Sequence, residues 1–278
     1  FDSLDSDGFT VTGASGYWNV NTNTKKYVGW LWKESATAGF DIVSYTGNGS
    51  NRTISHSLSA TPDLVITKRR DNTGNWMVGG STTLGGDNKL LLMDTTAALD
   101  DNSEVYQSFS SSTFGIGVNA YINTNTSTYI SYLFSGKQGF SKFGSFEGNN
   151  NADGSFVYLG FKPAWIIIKD IDSSNTVGGS AATSWGIWDN KRMPANPASN
   201  PLWANKNGTE TIRGNNSSAN TGGSDGNGLG GFIHLDMLSN GFKCRCATGE
   251  LNDAQTYVYM AFAEAPFVNS NGVPCNAR

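Results

Sequence analysis

Tyr129-Ile130-Ser131-Tyr132-Leu133-Phe134 is one of three renderings of a single phrase. Tyr27-Val28-Gly29-Trp30-Leu31-Trp32 and Tyr257-Val258-Tyr259-Met260-Ala261-Phe262 are the others. Each opens on Tyr, carries large residues on one face and is low in polarity on the other, as a central strand covered on two sides is. The face carrying Val28, Trp30 and Trp32, then Ile130, Tyr132 and Phe134, then Val258, Met260 and Phe262 reads as core. A buried phenol at the head of each strand calls for a hydrogen-bond partner. Around these ribs other phrases recur. Gly39-Phe40 and Gly139-Phe140 stand 100 residues apart, and Pro62-Asp63-Leu64-Val65-Ile66-Thr67-Lys68 and Pro163-Ala164-Trp165-Ile166-Ile167-Ile168-Lys169 stand 101 apart. So long a period marks repeated domains rather than a short-period solenoid.

The chain has 278 residues, 37% hydrophobic, 15% charged and 12% aromatic, with 34 Gly and 30 Asn. Few charges and much Gly, Asn, Ser and Thr also occur in disordered chains, but those are poor in aromatic and β-branched residues. Here Val, Ile, Tyr, Phe and Trp come in short bursts between Asp7-Gly8, Asn48-Gly49, Asp153-Gly154, Asn207-Gly208 and Asn240-Gly241, pairs that tolerate positive φ. Pro62 and Pro163 stand at strand starts, where a missing N–H costs least. No stretch sustains helical periodicity for three turns, Thr95–Val105 being the nearest. The expectation is an all-β protein of tandem β-sandwich units, jelly-roll or concanavalin-like.

Four segments follow from the repeats. Residues 1–38 read as the C-terminal part of a preceding unit, so the chain is expected to be a piece of a longer polypeptide. Residues 39–137 form one sandwich repeat, 138–268 a second, and 269–278 a tail. The second repeat is longer: 46 residues separate Lys68 from Phe114, but 73 separate Lys169 from Phe242. The surplus lies in a Trp- and Gly-rich insertion, 172–230, with Trp185, Trp188 and Trp203. Long loops on a rigid scaffold are where recognition concentrates, which makes the insertion the first candidate surface.

A net charge of −4 and a pI near 5.2 argue against a nucleic-acid groove, since Lys68-Arg69-Arg70 is the densest basic run. No apolar run approaches the ~20 residues of a membrane-spanning helix. Cys244 and Cys246 project in parallel along a strand, poor geometry for a mutual disulfide, and read as structural or free thiols, with a pairing to Cys275 as the alternative. His56 and His234 are the two histidines, too few for a metal centre, and His234 beside Asp236 reads as a strand histidine. Gly222–Gly228 lacks the Lys of a phosphate loop and reads as a flexible loop rather than a calcium site. No cofactor or metal is expected.

Glycoside hydrolysis needs two carboxylates flanking the sugar bond. Asp170 and Asp172 come nearest, yet they run into Ser173-Ser174-Asn175 and read as a turn, while Asp100, Asp101 and Glu104 read as loop acids. Catalytic residues are therefore not expected. Saccharide binding needs flat aromatic surfaces beside amides and hydroxyls, and Trp185, Trp188, Trp203 and Trp76 are the candidate ligand-binding residues.

Ser6-Asp7-Gly8-Phe9-Thr10-Val11, the run from Gly39 through Phe40-Asp41-Ile42-Val43-Ser44-Tyr45 to Gly49, the Tyr257–Glu264 phrase and Pro266-Phe267 resemble a domain repeat of structural proteins from marine tailed bacteriophages. The resemblance spans roughly residues 1–268. It implies a non-enzymatic virion component, a tail fibre or surface appendage attaching to host glycan through many weak contacts. It also implies an extracellular particle, partners among other virion proteins, and homo-oligomerisation as a trimer. A capsid-decorating or tail-assembly component is the alternative, and a polysaccharide depolymerase a weaker one. The insertion departs from the usual repeat.

Overall fold

A computed structural model describes residues 2–5, 8–11, 20–172, 184–206, 235–246 and 251–264. The chain forms two compact units, Phe1–Trp32 and Lys33–Arg278. In the second unit the repeats become two β-sandwiches of matching topology, as short strands between turn-forming pairs dictate.

In the first sandwich the large sheet runs in the order β1 (Phe40–Thr46), β9 (Thr128–Phe134), β3 (Leu64–Arg69), β4 (Met77–Gly79), β5 (Lys89–Leu92) and β6 (Asp100–Asp101). Facing it is a small sheet of β2 (Arg52–Ser55), β8 (Thr113–Ile116) and β7 (Tyr106–Phe109). The second sandwich repeats this plan. Its large sheet is β10 (Ser141–Glu147), β17 (Thr256–Ala263), β12 (Pro163–Asp170), β13 (Gly186–Asp189) and β14 (Leu202–Trp203). Its small sheet is β11 (Phe156–Tyr158), β16 (Gly241–Cys244) and β15 (Leu235–Leu238). Thr95–Val105 is not helical; it contains β6, and the described helices are single turns at Ser81–Leu84 and Ala120–Asn123.

The ladders define which residues correspond. Leu64 pairs with Phe134 and Trp165 with Phe262, so the Pro…Lys strands correspond at an offset of 101. Phe40 pairs with Phe134, but Ser141 pairs with Phe262. Gly39-Phe40 and Gly139-Phe140 are thus out of register by one residue. Along a strand such a slip exchanges the two faces, so the resemblance of those dipeptides is not a structural equivalence.

The ribs β9 and β17 are central, but the face assignment reverses. Tyr129, Ser131 and Leu133 are wholly buried and point into the first sandwich, whereas Ile130 and Tyr132 are half-buried on its outer side. Tyr257, Tyr259 and Ala261 likewise join the core of the second sandwich. The phenol at the head of each rib finds its partner. Tyr129 Oη accepts from Thr124 N at 2.9 Å and donates to Ala120 O at 3.1 Å, and Tyr257 Oη accepts from Asp253 N at 3.0 Å. In the N-terminal unit Tyr27 Oη accepts from Thr22 N at 3.1 Å. The text behind this corner is Asn21-Thr22-Asn23-Thr24 and Asn123-Thr124-Asn125-Thr126, with Thr24 and Thr126 at φ 67° and 66°. Tyr27–Trp32 itself joins no ladder, and Tyr27 and Leu31 are 54% and 61% exposed. That unit also holds a hairpin, Ser3–Leu4 against Phe9–Thr10, whose Asp5 carboxylate accepts from Ser3 Oγ and Thr10 Oγ1.

The outer faces of the two large sheets pack together. Phe134 meets its counterpart Phe262 with ring centroids 6.0 Å apart and also meets Phe143 at 6.0 Å. Leu64, Thr83 and Met93 from one sandwich and Ile167, Trp185, Val258 and Met260 from the other enclose a void of only about 10 Å³, about the least that holds a water. Trp185 Nε1 donates to Leu92 O at 2.9 Å across this joint, and Leu99 N to Ile171 O at 2.9 Å. Both sandwiches use the outer face of the large sheet, but not the same residues: Val258 and Met260 line the joint while their equivalents Ile130 and Tyr132 stay half-buried. The result is four β-layers, with the small sheets outermost. Here lies the reason both faces of the ribs are apolar: one fills the sandwich, the other the joint.

Candidate functional site

The candidate tryptophans are not gathered into a surface. By register Trp76 and Trp185 occupy the same position, each just before the strand that pairs with the Pro…Lys strand. Trp185 is buried in the joint, and Trp188 is buried inside the second sandwich. Neither can stack on a ligand. Trp203 is half-buried against that core with Lys206 Nζ 4.7 Å from its ring, and Trp76 is half-buried, stacked on Tyr132 at 6.4 Å with Lys68 Nζ 5.7 Å from its ring. Insertion residues 173–183 and 207–234, His234, Gly222–Gly228 and Cys275 lie outside the described residues.

Other residues weighed from the sequence are absorbed by the framework. Asp170 is buried at the end of β12, and its Oδ1 accepts from Asp172 N at 2.9 Å. Asp172 Oδ2 accepts from Thr256 N at 2.7 Å. The pair closes the β12–β17 end rather than facing a groove. His56 Nδ1 accepts from Leu58 N at 3.3 Å, and its Nε2 lies 3.2 Å from Ser110 O. Cys244 and Cys246 are buried, and burial pushes the Cys244 thiol well above its ordinary value. Among the described residues no three His, Cys, Asp or Glu side chains cluster as metal ligands, and no helix is long and apolar enough to cross a membrane.

The residues that do form a surface are Phe156 and Tyr158. Alternation along β11 sends Val157 inward to the core and the two rings outward, 46% and 59% exposed. Residues two apart on a strand lie about 6.6 Å apart, so the rings stand side by side on one face. Directly across from Phe156 stand Lys243 and Asp236; across from Tyr158 stand Gly241 and Leu238. Gly241 is required, because a Cβ there would fall 2.0 Å from Val157 O and 3.2 Å from the Phe156 ring. Lys142 Nζ donates to Tyr158 O at 2.6 Å and lies 5.5 Å from the Tyr158 ring, bracing it.

A charged rim flanks the rings. Lys243 Nζ pairs with Asp153 Oδ1 at 2.6 Å, and Arg245 Nε with Asp236 Oδ2 at 3.2 Å. The hydrogen bond from Lys243 holds the Asp153 carboxyl below its usual value. Exposed aromatic rings bordered by paired donors and acceptors suit the apolar C–H face and hydroxyl edge of a sugar ring, since the π face is electron-rich. The first sandwich has Thr53 and Ser55 at the corresponding positions, as the pairing of Ile54 with Phe114 and Val157 with Phe242 shows. The platform therefore distinguishes one repeat from the other. Its signal in the sequence was faint: two aromatics flanking a valine give no indication which side faces water.

Across residues 1–266 the chain matches the family model described as a domain of unknown function, DUF7483, and it belongs to that family. No curated protein and no solved structure matches it.

Proposed function

We propose that this DUF7483 member is a non-enzymatic structural protein of a virion, in a tail fibre or surface appendage, that attaches to host-surface glycan through many weak contacts. The virion context rests on the resemblance of the sequence phrases to marine phage repeats. The contact surface rests on one observation, the outward Phe156–Tyr158 pair on a sheet face whose counterpart carries Thr53 and Ser55. The scaffold supports it, because ring contacts and two hydrogen bonds tie the large sheets of the two sandwiches together. Stacking rings of this kind contribute about 0.5–1.5 kcal/mol each, so one platform binds weakly and copies in an assembled particle multiply the effect.

The test compares wild type with Phe156→Ala/Tyr158→Ala for retention on columns of host-envelope polysaccharide. Both side chains are exposed, so thermal stability should hardly move, while retention should fall by roughly tenfold. Unchanged retention would refute the platform. Retention by purified capsid or tail proteins in place of polysaccharide would transfer the protein to an assembly role.

A further inference from the structure

A second feature of the same sandwich has a different chemistry. Between the start of β12, the end of β17 and the loop after β13 lies a cleft of about 370 Å³, lined by Lys162, Asn190, Lys191, Met193, Met237 and Glu264 among others. That volume falls in the range of small-molecule sites. The loop that shapes it is held firmly. The largely buried Arg192 guanidinium pairs with buried Asp189 at 2.5 Å and donates to Asn200 O at 2.9 Å. Asn196 imitates a strand against β15, its Oδ1 accepting from Met237 N at 2.9 Å and its Nδ2 donating to Met237 O at 3.1 Å. Ala198 exchanges backbone hydrogen bonds with Leu235 at 2.8 and 3.2 Å. In the first sandwich the corresponding connection is the single-turn helix Ser81–Leu84, and Glu264 corresponds to Gly136. The loop and the Glu264 carboxylate thus distinguish the second sandwich from the first.

The walls offer both hydrogen-bond senses side by side. Glu264 Oε1 meets Lys191 Nζ at 2.5 Å and Glu264 Oε2 accepts from Asn190 Nδ2 at 3.2 Å. Both Lys191 and Glu264 are more than half exposed, so the pair itself adds little to stability. An adjacent ammonium and carboxylate fit a vicinal diol, in which each hydroxyl accepts from one and donates to the other. Met193, Met237 and Pro194 supply an apolar floor for the C–H face of such a ring. Glu264 counters Lys191 and also feels the charge of Lys162, so the lining carries two ammonium groups against one carboxylate; Lys162 is exposed, where salt screens its single surplus charge.

We infer that this cleft is a binding subsite for one neutral hexose unit, gripped through vicinal hydroxyls by Lys191 and Glu264 over the two methionines. The inference extends the glycan reading of this sandwich. Tyr158 and Lys162 are four residues apart, hence within about 14 Å, so platform and cleft can serve one saccharide chain.

The full chain with ¹³C-methyl methionine tests it. Its five methionines include Met77, buried in the first core, and Met260, buried at the joint, as internal controls. Glucose, galactose, mannose and N-acetylglucosamine are titrated to about 50 mM, beyond the millimolar constants expected of a single sugar unit. Support is a saturable shift of the Met193 and Met237 methyls with at least one sugar, unchanged between about 20 and 300 mM salt. Glu264→Gln should then weaken binding roughly tenfold by removing the charge from its hydrogen bonds. No shift with any of the four overturns the inference, and so does a shift obtained only with dextran sulfate that fades in salt. The methyl signals do not depend on Phe156 or Tyr158, so the cleft can fail while the platform stands, and the reverse.

Discussion

Replacing Asn123 by Ala asks whether one side chain ties together the loop end of the first sandwich. Its carboxamide is fully buried. Oδ1 accepts from Asn48 N at 2.9 Å, while Nδ2 donates to Ser50 O at 2.7 Å and Gly117 O at 2.8 Å. These groups come from opposite sheets, since Asn48 and Ser50 lie between β1 and β2 and Gly117 follows β8. Water can reach exposed Asn48 and Ser50 after truncation but not buried Gly117. At about 1 kcal/mol net for each bond, the loss is about 3 kcal/mol. For a cooperative unit of this size, each kcal/mol shifts the melting midpoint by about 2–4 °C, giving a fall of about 6–12 °C by scanning calorimetry. Asn123→Asp sharpens the test: it keeps the acceptor for Asn48 N but sets an oxygen against two carbonyls, so it should cost at least as much as Ala. A fall below about 2 °C for Ala, or a wild-type midpoint for Asp, would refute the reasoning. Asn252 is the corresponding knot in the second sandwich, with Nδ2 donating to Asn149 Oδ1, Asn151 O and Cys246 O at 2.8, 2.8 and 2.7 Å.

Two further outcomes follow from the joint and from a buried carboxylate. Trp185→Phe removes the hydrogen bond to Leu92 O and leaves a void between the sandwiches, so it should cost about 2–3 kcal/mol in a denaturant titration, while Trp76→Phe at the corresponding half-exposed position costs under about 1 kcal/mol; equal costs would disprove the joint. Burial pushes the Asp41 carboxyl up, but hydrogen bonds from Ser57 N (2.6 Å), Ser57 Oγ (2.9 Å) and Ile42 N (2.9 Å) outweigh it and leave the value below the ordinary 3.8. Its contribution to stability is complete above that ordinary value and is lost as pH falls through the lower, folded one. Asp41→Asn should therefore flatten the acid limb of a melting-temperature profile, and an unaltered limb would sink the assignment.

Much of the architecture was legible because it rests on local chemistry. Turn pairs such as Asn48-Gly49 and Asn240-Gly241 bounded the strands, and the Tyr-led phrase marked the central ribs. The phenol's need for a partner was legible too, though its source in Asn123-Thr124 and Asn252-Asp253 went unread. The direction of the ribs was not. Ile130, Tyr132 and Phe134 are bulkier than Tyr129, Ser131 and Leu133, yet the smaller set faces the opposing sheet, which alternation alone does not reveal. For the site, the tryptophans drew attention as large aromatics, but an indole's role depends on what covers it.

The chain's own residues determined the β class, the doubled plan and the places where strands turn, since these follow from side-chain alternation and from backbone angles that neighbours in sequence impose. Tertiary structure alone decided that two copies of the phrase become ribs while Tyr27–Trp32 forms no strand among the described residues, because strand pairing draws on backbone groups distant in sequence. It also decided that Trp185 and Trp188 are covered while Phe156 and Tyr158 face outward. Burial belongs to the packed assembly of layers, and no residue carries it alone.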